Sequence, residues 1–359
     1  MHLAWFERAL GLILILLPLQ DLFFTALFPQ ADRGTVQIPL RRVFWRGMRA
    51  VAGGPGKRQQ TALSYTGPVM IVLHAGSWVV LLMVGFALIY WPVAGQIIRG
   101  PSTSDGGFAT ALYFSGYSFT TLGTGDVVAT QSLYRLSSVF EALLGFTTIT
   151  LSLTYFLAVY AALVRRSALA LTIQGQTEGT GEAARLLQHL GAGDDFSGAG
   201  SEIGLLADAL FNVLESHRYY PILRYFHFRD QRNSLPRLLF VALDTATLIL
   251  SALDSERDRR FIESATVTGL WYGTLAALEE LCTSLVGHVE PQTIGDTSAW
   301  RSDYEAAVGR LRAHGIRTVA DLKAGADHYV ELRGMWQPAL TAIAHYLAYE
   351  TITPSGRVT

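Results

Sequence analysis

Apolar and polar positions along this chain fall into two regimes. Up to about residue 166 the apolar residues come in long blocks, 9–28, 68–93 and 136–164. Each is long enough to cross a bilayer as a helix, which takes about 20 apolar residues. Between the second and third blocks lies a shorter, aromatic-rich apolar segment, 108–119, which predicts one helix too short to span. It runs directly into the polar, glycine-punctuated stretch Thr120-Thr121-Leu122-Gly123-Thr124-Gly125-Asp126. Beyond residue 166 apolar residues recur at helical spacing in 203–214, 238–253, 267–286 and 335–349, which predicts a helical body. The run 235–253 is nearly long enough to span, but Pro236, Arg237 and Asp244 favour a buried core helix. The glycine-rich stretch 191–200 reads as a flexible separator between a short helix and that body.

The order span, short helix, glycine-punctuated loop, span is that of a re-entrant loop. Non-helical backbone at membrane depth is tolerated only where protein buries it or where it lines a water-filled path. Gly123 and Gly125 admit backbone angles closed to other residues, so successive carbonyls can turn toward one axis. Rings of such carbonyls replace the hydration shell of a cation. The stretch Thr120–Asp126 resembles the selectivity filter of the potassium channel family, usually Thr-Thr-Val-Gly-Tyr-Gly-Asp. The preceding Ala111-Leu112-Tyr113-Phe114-Ser115 is similar to the family's pore helix, and Gly145 falls where its inner helix often carries a gating glycine. The resemblance covers roughly residues 65–166.

That resemblance implies potassium coordinated by the carbonyls of Thr121, Leu122, Gly123 and Thr124 and by the Thr121 hydroxyl, with Thr120, Gly125, Asp126, Tyr113 and Phe114 supporting the filter. Asp126 would stand at the outer mouth, and Gly145 would be the gating hinge. One loop per chain implies a homotetramer. Two positions depart from the family pattern. Thr124 replaces a tyrosine that braces the filter, leaving Tyr113, Phe114 and Tyr117 to fill the gap, and position 117 lacks the acidic residue some members carry there.

Composition sets the surroundings. Only 16% of the 359 residues are charged, against about 25% in average soluble domains, which points to the membrane. A net charge of -1 argues against nucleic acid as a partner. The sole cysteine, Cys282, rules out an intramolecular disulfide, and neither a Cys/His metal cluster nor a phosphate-binding glycine loop occurs, so no cofactor beyond the permeant potassium ion and no enzymatic activity are expected. The linker between the first two spans carries Arg33, Arg41, Arg42, Arg46, Arg49, Lys57 and Arg58 against Asp32 alone. Such an excess marks a cytoplasmic loop and sets the N-terminus outside. Mixed with Trp45 and its apolar neighbours, it suits a helix lying on anionic lipid head groups across 33–58.

Within the spans, Asp21 reads as a carboxylate that snorkels or pairs with a basic residue, and His74 as a packed or snorkelling side chain. A cleaved signal peptide is the rival reading of the first run, but its first seven residues hold no Lys or Arg. The third span is rich in hydroxyls. Thr150 and Thr154 share a face and are expected to line an aqueous cavity, with helix packing as the alternative. The cluster His217, Arg218, His227, Arg229 and Asp230 reads as a surface, with an unidentified ligand or protein partner of the tail left open.

The expectation is an all-α membrane protein of the plasma membrane. It comprises an N-terminal transmembrane helix (1–30), a basic linker (31–64), a pore domain (65–166) and a helical cytoplasmic domain (167–359). Its expected function is tetrameric potassium conduction. A weakly selective cation channel, or a membrane-anchored signalling protein with a degenerate pore, are the alternatives.

Overall fold

The computed structural model describes residues 2–28, 34–53, 57–99, 107–228, 230–287 and 297–349. The chain forms two compact units, residues 1–161 with 218–226, and residues 162–217 with 227–359.

In the first unit, α1 (His2–Leu22) continues into a π-helical turn, Phe23–Leu27. It packs along α4 (Thr66–Tyr90) at a glycine crossing. A Cβ on Gly11 would lie 2.6 Å from the Gly85 carbonyl oxygen, so the close approach requires glycine. Small residues at such crossings are what drives association where lipid removes the hydrophobic incentive. Between these helices come α2 (Gln37–Ala52) and α3 (Lys57–Ser64). Gln37, Arg41 and Trp45 of α2, four apart, form its buried stripe, while Arg42 and Arg46 are exposed. The expected basic amphipathic helix is therefore present over 37–52; Arg33 and residues 54–56 lie outside the described residues.

Asp21 corrects the expectation. It does not snorkel: it is fully buried and accepts from Trp78 Nε1 at 2.8 Å and from the backbone N–H groups of Val36 and Gln37 at 3.1 and 3.4 Å, and among the described residues it makes no ion pair. From fifteen residues upstream it thus satisfies the orphan donors that open α2. His74 is fully buried, matching the packed reading.

After α4 come α5 (Ala94–Ile97), β1 (Ile98–Arg99), α6 (Phe108–Phe119), β2 (Val128–Ala129) and α7 (Ser132–Gln176). β1 and β2 pair antiparallel, Ile98 with Ala129 and Arg99 with Val128, closing a small ribbon outside α6. α7 outlasts the expected third span by a dozen residues. The 3₁₀ segment Pro221–Tyr225 also belongs to this unit: Tyr225 packs on Trp45, Tyr220 on Tyr155, and Phe226 on Tyr160 and over Gly67.

The second unit is a helical bundle built of α8 (Ala183–Leu190), α9 (Ala199–Tyr219), α10 (Leu235–Ala252), α11 (Arg259–Ile262), α12 (Ala265–Leu285), α13 (Ser298–Ala313) and α14 (Leu322–Tyr346). Among the described residues four helices are long and apolar enough to cross a membrane, and α10 is one. Its window is 94% buried, against 28–39% for the other three, so it is the bundle's core helix as its Pro, Arg and Asp foretold. Ser234 caps its start, accepting from Arg237 N, with Pro236 in the first turn where its missing N–H costs nothing. Asp244 accepts from Tyr329, which Arg333 bonds in turn, and Arg333 reaches Asp303 at 2.9 Å.

Two expectations fail here. The stretch 191–200 is no flexible separator: Phe196 is buried and stacks on Phe261 at 5.1 Å, and Asp194 pairs with Arg257 and Arg317. Nor is the 217–230 cluster simply a surface, because His217 and His227 are both buried, and His227 stacks on Tyr349 at 4.2 Å. Arg229 lies outside the described residues.

Candidate ion-conduction site

The short helix α6 is 12 residues long, as the apolar segment predicted. It ends because Thr121 turns left-handed, with φ 57°. Thr121 N–H then bonds Ser118 O at 3.1 Å and Leu122 N–H reaches back to Tyr117 O at 3.0 Å, the paired bonds of a left-handed helix stop. Glycine is the usual residue there, and a β-branched side chain at positive φ is an outlier. Strain of that kind clusters at functional sites. Gly123 (φ 58°) and Gly125 (φ 74°) repeat the left-handed turn at every second residue. Positive φ at every second residue can turn successive carbonyls to one side of an extended chain, where an ordinary strand points them alternately to opposite sides. All seven residues 120–126 are exposed in the single protomer. The α6 C-terminus, which carries roughly half a negative charge, meets the start of this loop.

Side chains hold the loop from behind. Tyr113 donates to Asp126 Oδ2 at 3.0 Å and lies 3.3 Å from Thr124 Oγ, and Thr124 donates to the other Asp126 oxygen. The Thr124 hydroxyl, with Tyr113 beside it, holds the Asp126 carboxyl below the ordinary carboxylate range. Tyr113 thus ties α6 to both Thr124 and Asp126. Phe114 is buried edge-on against Tyr90 (4.9 Å) and Tyr117 (5.3 Å). Tyr117 donates to the Val127 carbonyl, and Thr120 donates to Gly116 O at 2.8 Å. Arg135, one turn into α7, bonds Ala129 O at 2.8 Å and ties the far end of the loop to that helix.

Gly145 lies where α7 crosses the end of α6: any Cβ would collide with the Phe119 carbonyl. The helix is unbroken through this point, so close packing demands glycine here whether or not the helix bends. Thr150 and Thr154 face outward from the protomer and bond back to Phe146 O (2.8 Å) and Thr150 O (3.0 Å), while Thr148 and Ser152 are buried on the opposite side.

Sequence reasoning passed over one residue. Glu141, in the N-terminal part of α7, is fully buried, bonded to Ser115 of α6 and to Tyr90 of α4 at 2.9 Å. The signal was available, since a carboxylate inside an apolar span is rare and usually functional.

Comparison with known proteins bears on the same region. Residues 75–162 match the family model described as ion channel. The uncharacterized membrane protein YdjJ of Bacillus subtilis (strain 168) is 26% identical over 224 residues, 62% of this chain and 64% of that protein. The chain thus spans just under two thirds of that relative's length. No solved structure matches.

Proposed function

We propose that four copies of this chain surround a potassium-conducting pore whose narrowest part is the 121–124 loop, in the plasma membrane. The observation that supports the reading is the positive φ at Thr121, Gly123 and Gly125, a backbone that can turn the intervening carbonyls toward one side. One strand of carbonyls cannot enclose an ion, and four converging strands can. Asp126, ionised at the outer end, adds negative potential that concentrates cations. In this reading Thr150 and Thr154 line the cavity below the loop, and Gly145 is both a packing residue and the hinge about which α7 opens. The N-terminus is external, the basic helix α2 rests on anionic lipid inside, and the second unit is cytoplasmic, open to a ligand or protein partner. The protein is a conduit and not an enzyme.

Thr124 supports a second reading, a weakly selective cation pore. Its hydroxyl is held by two polar contacts on an exposed loop, a lighter brace than a packed aromatic ring. Bi-ionic reversal potentials of the purified protein in planar bilayers decide. A reversal potential set by potassium supports the first reading, and one near zero between sodium and potassium supports the second. Protein that elutes as a stable folded monomer and passes no ions overturns both.

A further inference from the structure

Glu141 stands at a junction of three helices. One carboxyl oxygen touches Ser115 Oγ on α6, and the other accepts from the Tyr90 hydroxyl on α4 at 2.9 Å. Ser115 Oγ is also 2.8 Å from the Met83 carbonyl of α4, and Ser137 Oγ of α7 lies 3.2 Å from the Tyr90 hydroxyl. Glu141 and Ser115 are fully buried, as is Tyr90. Among the described residues no cation takes part in this chain of contacts.

The protons of this chain can be counted. Ser115 has one hydroxyl hydrogen and two oxygens in reach, the Met83 carbonyl and Glu141. A carboxylate at 141 has no proton to give, so one of those oxygen–oxygen contacts would be empty and repulsive. A carboxylic acid fills both: Glu141 donates to Ser115, Ser115 donates to Met83 O, and Tyr90 donates to the second Glu141 oxygen. We propose that Glu141 is a positioning residue held as a neutral acid, fastening α6 to α7 so that the filter loop and the inner helix move as one. The assignment rests on the pore reading above. Because α6 runs directly into Thr120 and Thr121, whatever fixes its roll and height fixes where the loop carbonyls begin. A movement of α7 reaches the loop through Ser115, which makes the same contact a route between inner-helix opening and the filter.

Glu141→Gln and Glu141→Ala separate the cases. The amide keeps one donor for Ser115 and one acceptor for Tyr90, so Glu141→Gln should retain the wild-type potassium-to-sodium permeability ratio. Glu141→Ala leaves Ser115 only the Met83 carbonyl and Tyr90 only Ser137, cutting the link between α6 and α7, and should lower that ratio by roughly tenfold. Ser115→Ala is the milder cut should Glu141→Ala not assemble, and the double variant should be no worse than the poorer single one, since both remove the same link. Glu141→Ala or Ser115→Ala channels with wild-type selectivity would overturn the proposal, as would a Glu141→Gln channel as impaired as the alanine variant. Wild-type flux in the same bilayers tests the pore reading separately. The proton itself is read without any flux, as the infrared carbonyl stretch of a buried carboxylic acid that disappears in Glu141→Gln; its absence from wild-type protein overturns the neutral-acid assignment even if no ion passes.

Discussion

At the residue scale, the loop's chemistry is legible in sequence because it is local. Glycines at 123 and 125 announce their backbone angles, and the structure gives both a positive φ. Gly123→Ala should abolish or severely reduce conduction, because a Cβ penalises the left-handed turn by about 1 kcal/mol or more in each of four copies. Single-channel recording checks this, and wild-type conductance in that variant would mean the loop is no carbonyl filter. Tyr113→Phe removes only the hydroxyl behind Thr124 and Asp126 and should reduce potassium preference while leaving assembly intact. Glu141 stood out as a carboxylate in an apolar run, but its partners Tyr90 and Ser115 lie far away in the chain and no periodicity reveals them. His227 is a further case. Burial first, and the nearby Arg166 second, push its imidazole down to about 4. The unfolded chain takes up that proton near 6.5, so the folded tail is unaffected above that pH and loses stability as pH falls from 6.5 through 4, by up to about 3 kcal/mol. His227→Phe, which keeps the stack on Tyr349, should flatten the fall in tail melting temperature across that window.

At the scale of elements, the long apolar helices and α6 were legible from run length alone, and α10 from its interrupting Pro, Arg and Asp. What escaped were helices whose apolar stripe is thin. α13 buries Tyr304, Ala307, Val308 and Leu311 at helical spacing, but its five charged neighbours between 301 and 312 mask the pattern. α14 begins at Leu322, thirteen residues before the apolar density that marks it, because Asp321 caps it by accepting from Lys323 N and Ala324 N at 3.0 Å. The Asp21 latch was likewise invisible, since its partners Trp78, Val36 and Gln37 are distant in sequence. Asp21→Ala should strand the Trp78 indole N–H and the first N–H groups of α2, at a cost of about 2–3 kcal/mol. The expected result is faster proteolysis within the 37–52 helix of detergent-solubilised protein, with Trp78→Phe giving a smaller effect. Equal cleavage rates in wild type and Asp21→Ala would show that α2 is held by other means.

At the scale of the whole molecule, topology is the part most dependent on charge rather than shape. Seven basic residues against one acid between the first two spans are the argument for the proposed topology, with that linker and the second unit inside. In a Cys282→Ser background, a cysteine introduced at Gln59 or Gln174 should resist an impermeant reagent applied outside and react once the membrane is opened; external labelling at either would overturn the map. Assembly, in turn, decides what becomes of the exposed stretch 120–126. Peptide carbonyls withdrawn from water require partners, and carbonyls all turned to one axis cannot supply them to each other. In the proposed tetramer the dehydrated cation would then be a structural ligand of the complex as well as its cargo. By mass action, anything bound by the assembled state alone stabilises it, by about 1.4 kcal/mol for each tenfold rise in concentration above its dissociation constant. The oligomer should therefore come apart at a higher temperature in potassium than in sodium chloride of equal strength, and Gly123→Ala should erase the difference; identical melting in the two salts would mean that no ion is held there.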